Sequence, residues 1–152
     1  MSDPLARKAS QAALMASADD TEASFYEALQ QGDLERLMSV WSDDDEIACV
    51  HPGGPRVVGP EAIRSTFEAI FANGPVQVTL QQVRRLETGH CEVHHVLEKV
   101  QALTPDGLQS AFVLATNVYL RTAQGWRMVM HHASPGHARE LQELAEAAAT
   151  LH

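Results

Sequence analysis

Positive charge is scarce in this sequence. Across 152 residues, 11 Lys and Arg stand against 20 Asp and Glu, a formal charge of −9. Non-specific nucleic-acid binding depends on cationic side chains that neutralise phosphates. No basic run occurs, which argues against nucleic acid and against an anionic membrane surface as partners. Long apolar runs are missing as well, so no stretch reads as a transmembrane helix. The apolar part of residues 1–17, behind Arg7 and Lys8, is too short and broken for a signal peptide, and the expected location is the cytoplasm. The two cysteines, Cys49 and Cys91, lie far apart and fit no C-x-x-C spacing. Both sit in apolar segments and read as buried free thiols, in keeping with a reducing compartment.

Several chemical signatures are absent. The turn cluster Gly53-Gly54-Pro55 has neither a Walker Lys-Ser/Thr pair nor a Gly-x-Gly-x-x-Gly pattern, so it is no phosphate loop. The run Asp43-Asp44-Asp45-Glu46 lacks the alternating ligands and the Gly of a calcium loop and reads as a solvated turn. No Gly-x-Ser-x-Gly elbow marks a nucleophilic hydrolase. No repeat appears at solenoid periods.

What is present is a pattern of helices followed by strands. Asp19-Asp20-Thr21-Glu22 suits a helix N-terminus, where acidic groups meet the positive end of the dipole, and Gly32 suits its end. A second helix runs from Asp33 to about Ser39. Ile47 to His51 is a short apolar strand that Pro52 stops. Gly59-Pro60-Glu61 opens a third helix, with Ile63, Phe67, Ile70 and Phe71 on one face. Four strands joined by tight turns follow. The last two, between Ala111 and Pro135, organise the rest, and the first of them is apolar on both faces. Such a strand must be covered on both sides. Helices on one face and a second subunit on the other would do so.

This order defines an α+β domain. Its expected limits are 19–136, with a flexible segment at 1–18 and a helical tail at 137–152.

The stretches Cys49-Val-His51-Pro-Gly-Gly, Gly59-Pro-Glu-Ala-Ile-Arg-Ser, Ala115-Thr-Asn117-Val-Tyr and Gly125-Trp-Arg-Met-Val-Met-His131-His132-Ala-Ser-Pro carry a resemblance. The chain resembles the SnoaL-like branch of the nuclear-transport-factor-two-like superfamily, which includes ketosteroid isomerases. The resemblance implies a cone-shaped roll, a strongly bent mixed or antiparallel sheet closed by three N-terminal helices around an apolar cavity. It also implies a homodimer through the outer sheet face. Fold alone does not settle function, because this one hosts isomerases, cyclases, dehydratases and non-enzymatic binders.

Candidate site residues follow from position and chemistry. His51 stands where the short strand meets its loop, near where the isomerases carry a carboxylate. A His there can act as a general base near neutral pH or simply cap the loop. His131 and His132 point to opposite faces of one strand; strict alternation groups His132 with Trp126, Met128 and Met130. The resemblance favours His132 as the cavity residue. Asn117 is a polar group in an apolar strand, read as a donor to a ligand carbonyl or as a cross-strand partner. Tyr26, Trp41, Phe67 and Trp126 are the aromatic candidates for ligand contact, with core packing as the plainer role for Trp41 and Phe67. His94, His95 and Glu98 do not form a zinc pattern, so no metal or cofactor is expected. The expected partner is a small apolar, carbonyl-containing molecule. Proton transfer of isomerase or lyase type is one outcome, and a non-enzymatic dimeric binding module is the other.

Overall fold

The computed structural model describes residues 15–137, together with 139, 140, 143 and 146. The expected flexible segment up to residue 14 and most of the expected C-terminal tail lie outside the described residues. Residues 15–18 already pack onto the domain. Met15 is buried, and its carbonyl accepts a hydrogen bond from the Trp126 amide at 2.8 Å.

Three helices pack against a six-stranded mixed sheet that does not close. Helix α1 (Ala18–Gln31) starts at Ser17, whose hydroxyl accepts from the Asp20 amide, and carries Asp19 and Asp20 in its first turn. It stops at Gly32, which adopts φ 66°, a left-handed conformation that glycine enters without a Cβ penalty. Helix α2 (Leu34–Ser39) is capped by the Asp33 carboxylate. Helix α3 (Pro60–Phe71) buries Ile63 and Phe67.

The strands are β1 (Ala48–Val50), β2 (Arg56–Val58), β3 (Gln77–Glu87), β4 (Cys91–Thr104), β5 (Gly107–Thr122) and β6 (Gly125–Pro135), in sheet order β2-β1-β6-β5-β4-β3. The short β2 pairs antiparallel with β1. Strand β1 pairs parallel with β6, with Cys49 opposite His131. That pairing brings the β1 loop beside the end of β6.

The β5 faces divide as alternation predicts. Ala115, Asn117 and Tyr119 are fully buried against the helices. Phe112, Leu114, Thr116 and Val118 lie half-buried on the outer face. Strand β6 does not alternate throughout. Tyr119 pairs with Met128 and Val118 with Met130, so Val129 has no partner and forms a β-bulge. The extra residue reverses the phase of every later side chain. Met128 points inward before the bulge, and His131 and Ala133 point inward after it.

Candidate functional site

A cavity of about 270 Å³ lies between the inner sheet face, α1 and α3. Its walls are mainly apolar: Leu29 from α1, Phe67 and Ile70 from α3, and Val78, Val100 and Val113 from the sheet. Three polar side chains interrupt this lining, Glu98, His51 and His131. The His51 and His131 rings are 5.8 Å apart, and His51 packs edge-on against Phe67 at 5.1 Å.

A hydrogen-bonded chain runs behind the wall. The Tyr26 hydroxyl donates to Glu98 Oε2 at 2.6 Å. Asn117 Nδ2 donates to the Tyr26 oxygen at 2.9 Å, and its Oδ1 accepts from His131 Nδ1 at 2.6 Å. Four elements thus supply one continuous chain: β4, α1, β5 and β6. Among the described residues, the only buried side-chain N or O atom without a partner is the Trp41 indole nitrogen. Glu98 Oε1 and His131 Nε2 hold no hydrogen bond to the protein, but neither is fully buried; both residues line the cavity.

The surroundings set the charge states. Burial pushes the Glu98 carboxyl up to about 7, reinforced by the nearby Glu22 and opposed by the Tyr26 hydrogen bond. Burial pulls His131 down to about 3, with His51 and His132 adding to the effect. His51 is lowered as well, by burial. The cavity therefore presents two neutral imidazoles and a carboxyl that titrates near neutrality. Cys49 lies beside His51, with Sγ 3.9 Å from Nδ1, but burial raises its thiol to about 12, so it is no ready nucleophile.

The sequence candidates separate into groups. His51 and Phe67 line the cavity. Asn117 and Tyr26 sit behind it and reach it through Glu98 and His131. His132 corrects an expectation: it is exposed on the outer face, and His131 takes the inward place because of the Val129 bulge. Trp126 is buried away from the cavity lining, under Met15 and Thr21. Trp41 lines a separate shallow groove with Arg64 and Glu61. Cys91, expected to be buried, is only partly so. In the sequence, Glu98 reads only as a candidate metal ligand. The signal that marks it is register: it shares the inward face of β4 with His94 and Val96 and stands opposite Val113.

His94 belongs to a second network. Its ring donates to Glu22 at 2.8 Å and to Glu92 at 2.9 Å, and Tyr119 also donates to Glu22. Burial opposes the charge on His94, but the bonds to Glu22 and Glu92 outweigh it and raise its pKa. Asp19, Glu22 and His94 place one potential ligand atom each within 4.8 Å of one another. Both His94 nitrogens already hold carboxylates, and Asp19 is paired with Arg85 at 2.8 Å. His95 is exposed on the opposite face and does not join them.

The SnoaL-like domain family matches residues 19–138. The chain belongs to the SnoaL-like family. A provisionally named calcium/calmodulin-dependent protein kinase type II association domain from Thiobacillus denitrificans is 32% identical, with a TM-score of 0.74 over 82% of this chain and 98% of the other. A provisionally named dehydratase of the NTF2-like family from Streptomyces avermitilis is 30% identical, with a TM-score of 0.70 over 88% of this chain and 99% of the other. A CaMKII hub from S. rosetta shares the fold at 21% identity and a TM-score of 0.62, over 77% of this chain and 92% of the other. No curated protein matches the sequence. Among the described residues of this SnoaL-like protein, no helix is long and apolar enough to cross a membrane.

Proposed function

We propose that the cavity binds a small, neutral, carbonyl-containing molecule and moves a proton on it, by lyase or isomerase chemistry. One observation carries this reading: a carboxyl, Glu98, inside an apolar cavity and facing two neutral imidazoles. Sites with an apolar lining and few converging polar groups are the usual form of small-molecule sites. A base that titrates near the working pH is the efficient one.

In this mechanism, ionised Glu98 takes the proton from a carbon next to the ligand carbonyl. A ring N–H of His51 donates to the carbonyl oxygen as negative charge develops there. The C–H electron pair then forms a carbon–carbon double bond. In a dehydration it expels a hydroxyl group one carbon further on, which leaves as water with the proton that Glu98 holds. In an isomerisation, Glu98 returns the proton to a different carbon. The dehydratase name of the Streptomyces relative supports the first form.

The test is hydrogen exchange on cyclohexanone in deuterium oxide. The reading expects deuterium next to the carbonyl faster than in buffer, with the excess lost in Glu98→Gln. An exchange rate equal to that of buffer at saturating ketone would overturn it.

A second reading has its own support. Relatives that carry the names association domain and hub favour a module whose main task is assembly. The half-buried apolar outer face of β5 suits a homodimer through the sheet under either reading. The two free cysteines support a reducing, cytoplasmic setting.

A further inference from the structure

We infer that His131 sets the specificity of the cavity: its bare Nε2 accepts from a ligand hydroxyl, so the molecule bound is a small β-hydroxy ketone. This rests on the function proposed above and adds to it the group that the ligand must carry.

Ionised Glu98, the form that takes the proton, can only accept hydrogen bonds. The Tyr26 oxygen lies 2.6 Å from Glu98 Oε2, so the Tyr26 hydroxyl spends its one hydrogen there. Burial and the charge of Glu98 hold that hydroxyl well above its ordinary pKa, so it stays protonated. Any further partner of the Tyr26 oxygen must donate. Asn117 meets it at 2.9 Å, which fixes the amide with Nδ2 towards Tyr26 and Oδ1 towards His131. Oδ1 can only accept, and His131 Nδ1 stands 2.6 Å from it, so Nδ1 carries a hydrogen. Burial pulls His131 down to about 3, so the ring is neutral, with one hydrogen, and Nε2 is bare.

His131 lines the cavity, and Nε2 holds no hydrogen bond to the protein. The ring therefore offers a ligand a fixed acceptor. A ring flip or a change of tautomer would cost the bond to Asn117. The second imidazole is not fixed in this way. Among the described residues, the side-chain partner of the His51 ring nitrogens is the Cys49 sulfur, at 3.9 and 4.0 Å, a long contact that leaves the tautomer free. His51 can thus donate to a carbonyl while His131 accepts from a hydroxyl. The two rings stand 5.8 Å apart, close enough for one small molecule to meet both. Among the described residues, no Lys or Arg lines the cavity to offset an anionic group beside Glu98, so the ligand is neutral.

The dehydration described above places the expelled hydroxyl one carbon beyond the carbon that loses its proton, which makes the ligand a β-hydroxy ketone. With the hydroxyl hydrogen held by His131 Nε2, the oxygen lone pairs are free to take the proton from Glu98. The C–O bond breaks with its electron pair going to oxygen, and water leaves with both hydrogens. His131 stays neutral throughout and only holds the group in place.

The test is ligand binding to the full chain at pH 9, where Glu98 is ionised, followed by 15N NMR of the histidine ring nitrogens. The His131 signals are assigned by their loss in His131→Gln. The probe is 4-hydroxy-3,3-dimethylbutan-2-one, a β-hydroxy ketone that cannot be dehydrated, because the carbon between its carbonyl and its hydroxyl-bearing carbon has no hydrogen. The comparison compound is its methyl ether, which keeps both oxygens but cannot donate. We expect the empty protein to carry a hydrogen on His131 Nδ1 and none on Nε2. The hydroxy ketone should move the Nε2 signal and bind about fivefold more tightly than the ether, the difference expected for one neutral hydrogen bond. A hydrogen on Nε2 in the empty protein, an Nε2 signal that the hydroxy ketone does not move, or equal affinity for the ether would each overturn the inference. The readout needs no turnover. Failure of deuterium exchange with the hydroxyl preference intact would sink only the catalytic reading, and a missing preference with exchange intact would sink only this specificity.

Discussion

The Tyr26 hydroxyl sits 2.6 Å from Glu98 Oε2, although 72 residues separate the two along the chain. The contact joins α1 to β4 and fixes one oxygen of a carboxylate in an apolar cavity. The other oxygen is left for a ligand. Position and charge state of the candidate base are thus set together.

The first expectation concerns stability and pH. Glu98 rises from 4.5 to about 7 on folding, so between these values the native state binds a proton that the unfolded chain has lost. Its contribution is fully present below about 4.5 and is lost as pH rises through about 7. The shift corresponds to about 3 kcal/mol as an upper figure. Glu98→Gln should keep the fold and flatten this part of the stability curve, as measured by urea unfolding between pH 4.5 and 8. An unchanged slope would show that Glu98 titrates normally.

His131 acts with the opposite sign. Its folded pKa is depressed from 6.5 to about 3, so its contribution is present above 6.5 and is lost as pH falls towards 3. His131→Gln, which keeps polar atoms near Asn117, should lessen acid destabilisation in that window. The check is the acid limb of thermal unfolding. A steeper acid limb in the variant would contradict the assignment.

Asn117 holds the chain of bonds together. Asn117→Leu leaves the Tyr26 oxygen without its donor and His131 Nδ1 without its acceptor, and should cost about 2–4 kcal/mol, the loss expected for two unsatisfied buried groups. A loss below about 0.5 kcal/mol in chemical denaturation would mean that water replaces the amide easily.

The outer sheet face should carry the dimer. Leu114 is half-buried at its centre, and Leu114→Asp would place a charge in the contact. Light scattering at micromolar concentration should give a dimer for the wild type and a monomer for the variant. A wild-type monomer would remove the interface.

Much of the fold was legible in the sequence because helix caps, Pro and Gly punctuation and alternation act locally. Asp33 caps α2 and Gly32 ends α1 where the residue types require. The division of β5 into two faces also followed from its period. The choice between His131 and His132 did not. It depends on the unpaired Val129, and a bulge is a property of the pairing with β5, which no residue type in Arg127-Met128-Val129-Met130 announces. Glu98 was hidden for a related reason. An acidic residue in a strand is usually solvated, and only the register with Val113 and the approach of Tyr26 turn it inward.

The most direct test of the account is a titration of the Glu98 side-chain carboxyl by 13C NMR, assigned by its disappearance in Glu98→Gln. The account predicts a midpoint near 7 in the empty protein, with a further rise when cyclohexanone fills the cavity and excludes water. A midpoint near 4.5, unmoved by the ketone, would mean that Glu98 is a solvated carboxylate and would contradict the proton-transfer site.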